Sequence, residues 1–188
     1  MRKIFKLILA VIVIVIAIAV LLAGAVFMDF AAYTATNSET LTPEGTPTGT
    51  ALVVYDPGLS GAAKTVASKV ASELQTQGYA VDLAGIKSGT AANTSGYSVI
   101  VAGGPIYAGA PTSSVKDFLG NLNHAPSTRI GVFGSGSGAQ EQSDIDQIKS
   151  AIATLPNADS LASAVVVKIG SGENLDARVQ DFVTQLLQ

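Results

Sequence analysis

The segment Ala51–Leu74, ALVVYDPGLSGAAKTVASKVASEL, constrains this chain more than any other. Ala51–Tyr55 is a continuous apolar run, as expected of a strand covered on both faces. Pro57-Gly58 turns the chain. Val66, Val70 and Leu74, with Ala67 and Ala71 beside them, then line one helix face at i, i+4, i+8, and Gly78 ends the helix. A strand that enters a helix through a glycine turn aims the free N–H groups of the helix start at whatever lies in front. That arrangement suits a phosphate.

The same unit recurs along the chain. Tyr79–Ile86 reads as a second strand, in which the polar Asp82 predicts an edge position, and Lys87–Gly96 reads as a loop. Val99–Ala102 is a third strand, after which Pro111 and Thr112 open a helix with Val115, Phe118, Leu119 and Leu122 on its buried face. Ile130–Phe133 is a fourth strand and runs into Gly134-Ser135-Gly136-Ser137-Gly138. Ser143 is the expected cap of a helix striped by Ile145, Ile148, Ile152 and Leu155. Ala164–Ile169 is a fifth strand, and Leu175, Val179, Phe182, Val183 and Leu186 stripe a last helix. Apolar strands alternating with amphipathic helices predict an α/β fold: a three-layer, doubly wound, five-stranded parallel sheet. Ligands in such folds sit beyond the strand C-termini at the switch point. Three Gly-rich loops, after strands one, three and four, fall at that end.

Composition narrows the chemistry. With 188 residues, 48% of them apolar, the chain can bury one good core and carry an appendage. It has no Cys, which removes disulfides, Cys-ligated metals and thiol chemistry. The single His, His124, falls between a helix and a strand, which leaves His-based triads and multi-His metal sites nearly excluded. A net charge of −3 and a pI near 5.0 argue against nucleic-acid binding.

The N-terminus is of another kind. Residues 1–6 are a basic tail, and Leu7–Met28 carries no charge. As a helix this run of about 22 residues spans about 33 Å, enough for a bilayer core. Arg2, Lys3 and Lys6 before it and Asp29 after it predict a cytoplasmic N-terminus and an extracytoplasmic soluble domain, hence a single-pass membrane protein held by a signal anchor. A cleaved signal peptide is the competing reading, with Ala23-Gly24-Ala25 as cleavage region, but its apolar stretch is normally about 7–15 residues. Residues 29–50 read as a linker. Ala31–Thr50 is rich in Thr, Pro and Gly without apolar period, an expected extended tether. Asn93-Thr94-Ser95 matches a glycosylation sequon that counts only outside the cell.

Residues 51–188 resemble a flavodoxin-like domain, through VVYDPGLSG, VIVAGGPIYAGAP and FGSGSG. The resemblance implies strand order 2-1-3-4-5, one FMN at the strand C-termini, and one- or two-electron transfer with an unidentified redox partner protein. Family members place a hydroxyl residue, Gly, Asn and Thr at the turn into the first helix; here the positions read Ser60, Gly61, Ala62 and Ala63. Side-chain hydrogen bonds to a charged group are worth about 1.5–3 kcal/mol each, so losing two costs roughly two to four decades of affinity. Lys64 and Thr65 are the compensating candidates, and Ala62→Asn with Ala63→Thr is expected to tighten FMN binding. Pro105, Ile106, Tyr107, Ala108 and Gly109 would face the flavin ring, with Tyr107 stacking on it. Gly134, Ser135 and Gly136 would form the other wall.

Asp56 would repel a phosphate and is expected instead to accept a bond from its own loop. Glu141 and Asp144 read as solvated charges at a helix start. The functional expectation is a membrane-tethered FMN electron carrier. The alternatives are a flavin-dependent reductase of quinones or other small acceptors, and an interaction domain that has lost FMN; whether the chain is an enzyme stays open.

Overall fold

A computed structural model describes residue 6, residues 9–20 and residues 35–188. The described residues form seven strands: β1 (Ser38–Leu41), β2 (Gly49–Tyr55), β3 (Tyr79–Gly85), β4 (Val99–Tyr107), β5 (Ala110–Pro111), β6 (Arg129–Gly136) and β7 (Val165–Gly170). Among the described residues after residue 34, four α-helices accompany them: α1 (Ala62–Thr76), α2 (Ser113–Gly120), α3 (Gln142–Ala153) and α4 (Leu175–Leu187). The sheet order is β1-β3-β2-β4-β6-β7, with β5 paired to β4. Its five parallel strands, β3-β2-β4-β6-β7, follow the expected order 2-1-3-4-5.

The apolar runs are explained by two cores, one on each sheet face. Ala51, Val53 and Tyr55 of β2 pack with Val66, Val70 and Leu74 of α1 and Val179, Phe182 and Val183 of α4. Leu52 and Val54 point the other way, to Val115 and Leu119 of α2 and Ile148 and Ile152 of α3. Ala51, Leu52, Val53 and Val54 are each 0% exposed, which is why β2 has no polar alternation.

Three expectations need correction. The sheet has more than five strands, because part of the expected tether belongs to it. β1 pairs antiparallel to β3, Ser38 opposite Ala84 and Leu41 opposite Val81. Asp82 is therefore not at an edge: Thr40 Oγ1 and the Tyr97 hydroxyl each donate to its carboxylate at 2.6 Å. Burial, then that bond and the carboxylate's charge, push the Tyr97 phenol up to about 12. The cap of α3 is Glu141, not Ser143; Glu141 N donates to Asp144 Oδ2 at 2.8 Å.

Among the described residues no helix is long and apolar enough to cross a membrane. Residues 9–20 are helical, with Leu9, Val11 to Ile16, Ile18 and Val20 exposed. Residues 7, 8 and 21–28 of the expected span lie outside the described residues, as does the tail before Lys6.

Candidate functional site

The site is built where β2 and β4 end and their connections part to opposite faces of the sheet. β2 delivers Asp56, which is 1% exposed. Asp56 N donates to Gly103 O of β4 at 2.9 Å. Its Oδ1 accepts from Gly58 N at 3.0 Å, the expected Asx-type turn. Its Oδ2 accepts from Thr112 Oγ1 at 2.8 Å and from Ser114 Oγ at 2.5 Å. One buried carboxyl thus joins the first loop to the start of α2. Thr112 and Ser114 carry no motif spacing to Asp56, and only the fold brings them to it.

Ser60 and Gly61 lead from this turn into α1. Gly61 has φ +71, a conformation that suits glycine and starts the helix sharply. Ser60 is exposed, and its Oγ accepts from Ala62 N at 3.3 Å. No acidic residue lies in the first turn of α1. The amides of Ala63 and Lys64, at the first turn, have no carbonyl within the helix to bond. Ala62 and Ala63 differ: Ala62 is exposed, whereas Ala63 is 1% exposed and packs in the core with Val66 and Ala67. Ala63 therefore faces the site only through its backbone. Thr65 Oγ1 is turned back to Gly61 O at 3.4 Å.

The segment expected to be the ring-facing loop is mostly strand. β4 continues through Gly103, Gly104, Pro105, Ile106 and Tyr107, and its last rungs pair Gly104 with Gly134 and Pro105 with Ser135. Gly134, Ser135 and Gly136 are likewise the end of β6, not a loop. β4 then reverses into β5 through Ala108 and Gly109, with φ +49 and +81. Two positive φ values in succession make the tight turn whose twist matches antiparallel strands. The hairpin side chains split between neighbours. Pro105 and the Tyr107 hydroxyl close over Gly58. Ile106 fills the space above Gly134, and the turn at Gly109 lies against Gln147 of α3. Tyr107 is half-buried against the first loop.

Ala62, Ser135 and Gly136 come together in a cleft of about 330 Å³, with Thr65, Val66, Ile169 and the loop 170–173. Glu173 borders this cleft, but its carboxylate is engaged: Gly170 N donates to Oε2 at 2.8 Å, and Arg178 Nε lies 3.2 Å from Oε1.

Sequence reasoning missed the side chains that hold the loop after β6. Lys168, 8% exposed, donates to Asp144 Oδ2 at 2.9 Å and to Ala139 O at 3.3 Å. Gln140 Oε1 accepts from Lys168 N and from Arg178 Nη2, both at 2.9 Å. Asp144 is thus paired and not a free helix-start charge. A lysine in the otherwise apolar β7 was the one available signal. The backbone N–H of Glu141, and then Lys168, hold the Asp144 carboxyl below the usual carboxylate range. A lowered folded value stabilises the fold above the unfolded value, and the contribution is lost as pH falls through the folded one. Asp144→Asn is expected to reduce stability at neutral pH and to flatten the acid limb. Urea midpoints at about pH 7 and about pH 3 check this, and an unchanged acid limb counts against it.

The donor set fits a phosphomonoester: helix-start amides, one hydroxyl and no free carboxylate, since Asp56 is occupied by its own three donors. His124 lies apart from it, its Nδ1 2.9 Å from Ala125 O.

No family model matches the chain, and no curated protein does. Among solved structures the chain is similar to a short-chain flavodoxin associated with a non-canonical PDU bacterial microcompartment, with 22% identity and a TM-score of 0.52 over 73% of this chain and 96% of that one. It is similar to the flavodoxin of Streptococcus pneumonia TIGR4, with 19% identity and a TM-score of 0.50 over 73% and 97% of the two chains. Rubredoxin oxygen:oxidoreductase from Desulfovibrio gigas matches with 15% identity and a TM-score of 0.51, over 76% of this chain but 36% of that one. With the strand order and the placement of the switch point, these likenesses give the α/β domain of this chain the flavodoxin-like fold.

Proposed function

We propose that this chain is a membrane-tethered, flavodoxin-like electron carrier that binds FMN at the start of α1. The observation that carries the reading is that start itself: a 15-residue helix at the switch point, entered through Gly61, with Ser60 beside it and no acidic side chain in its first turn. The amides of Ala63 and Lys64 and the Ser60 hydroxyl would hold the phosphate, with Ala62 N bonded to Ser60 Oγ behind them. Pro105 and Tyr107 would offer a wall to the ring. The flavin, when bound, supplies the redox chemistry, and the protein supplies position and electrostatics. Anchoring rests on the uncharged run Leu7–Met28 behind a basic tail.

A second reading, a cofactor-free interaction domain, is favoured by the packing. Ala63 turns its side chain into the core, and Ile106 fills the space above Gly134. Titrating FMN into the full chain in detergent, followed by flavin fluorescence, decides between them. Quenching with a roughly micromolar Kd is expected, because amides act without the two side-chain bonds. No quenching at high micromolar FMN rejects the flavin reading and leaves the second.

A further inference from the structure

The way the chain enters the domain determines which end of the sheet meets the bilayer. Read from composition, residues 29–50 form a long tether that leaves the domain free to turn. Instead, the chain joins the sheet from Ala35 onward. Ala35 is 6% exposed, and its carbonyl accepts from Lys87 N at 2.9 Å. Asn37 O accepts from Gly85 N at 2.8 Å. β1 then runs antiparallel to β3, and Gln75 Nε2 donates to Thr42 O at 2.7 Å. Gly85 admits this approach, because a Cβ there would lie 2.4 Å from Ala35 O.

An antiparallel β1 starts where β3 ends. The entry at Ala35 is therefore at the C-terminal end of the parallel strands, the same end as Asp56, Ser60 and the start of α1. Between Met28 and Ala35 stand six residues, 29–34. Fully extended, that chain reaches at most about 25 Å. The opposite orientation would lift Ala35 above the membrane by the length of β3, about 23 Å, before the turns at its far end are added. The reach leaves no room for those turns.

We propose that the site end of the sheet faces the membrane surface, so that its partner is bound to the same bilayer and is not a soluble protein. The proposal rests on the tethered reading above but not on FMN. A folded protein of about 100 residues has a radius of gyration of about 13 Å, so it is wider than a gap that closes within about 25 Å. A partner embedded in the bilayer needs no such gap.

The chain has no Cys, so single-cysteine labels report cleanly. Ser137 and Ser127 are both exposed and flank the two ends of β6, about 26 Å apart along the strand. The full chain, as Ser137→Cys or Ser127→Cys with a donor dye, is placed in phosphatidylcholine nanodiscs carrying a headgroup acceptor. Transfer several-fold stronger from position 137 than from 127 is expected. Inserting a twenty-residue Gly/Ser segment after residue 34 is expected to abolish the difference. Equal transfer, or stronger transfer from 127, overturns the orientation while leaving the anchor intact. Failure of the chain to co-elute with the discs overturns the anchor, and the orientation with it.

Discussion

Asp56→Ala is expected to lower the free energy of unfolding by about 2–4 kcal/mol, measured by urea denaturation. The carboxyl is 1% exposed and receives three hydrogen bonds, from Gly58 N, Thr112 Oγ1 and Ser114 Oγ. Removing it strands those donors in a buried site, where each unsatisfied group costs about 1–3 kcal/mol. Thr112 Oγ1 and Ser114 Oγ lie 3.0 Å apart and can bond each other, which keeps the total below the simple sum. Asp56→Asn is expected to cost less than half as much, because its Oδ1 still accepts from Gly58 N and the two hydroxyls can turn to accept from its amide. Hydrogen exchange at Gly58 should accelerate in the alanine variant, since the turn loses its acceptor. An alanine variant within about 0.5 kcal/mol of the parent would show that the carboxyl does not organise the site.

The second large effect concerns the helix start. Ala62→Asn is expected to tighten FMN binding by about tenfold to a hundredfold, the worth of one side-chain hydrogen bond to a charged group. Ala62 is exposed at the mouth of the cleft, so a longer side chain has room to reach forward. Ala63→Thr is expected to do the reverse of what the family pattern suggests. Ala63 is packed against the α1 core, and a threonine there puts extra volume and a hydroxyl among Val66 and Ala67, at a cost of about 1–3 kcal/mol with no gain in affinity. Equilibrium titration of both single variants, with their urea midpoints, separates the two positions. An unchanged affinity in Ala62→Asn would falsify the placement of the phosphate.

How much was legible in the sequence follows from the range of the forces involved. The β2–α1 unit was readable because burial on both faces removes polar residues from a strand, and because a helix on a sheet must carry an apolar stripe at its own period. The same local rules located Gly78 at the end of α1 and the stripe of α4. They failed at Ser38–Leu41, whose residues SETL carry no apolar alternation. That strand is held by backbone bonds to β3 and by Thr40 on Asp82, and neither leaves a hydropathy trace. They failed again at Gly103–Tyr107, where glycine and proline imply a loop. There β6 continues the ladder on one side, and the ring of Phe133 occupies the space above Gly103 where a side chain would stand.

The sequence by itself determined the class of fold and the succession of strands and helices after residue 50, because hydropathy period and turn chemistry are local properties, whereas the strand order came only from the resemblance to flavodoxin-like domains. It also determined that no thiol or multi-histidine chemistry is available. The tertiary structure decided what the site is made of. It set Asp56 against Thr112 and Ser114 and drew Lys168 onto Asp144. It also made Ser38–Leu41, within the expected tether, into an edge strand. Each of these is a contact between residues far apart in the chain, set by how the layers close on one another, and no pattern within a single segment encodes it.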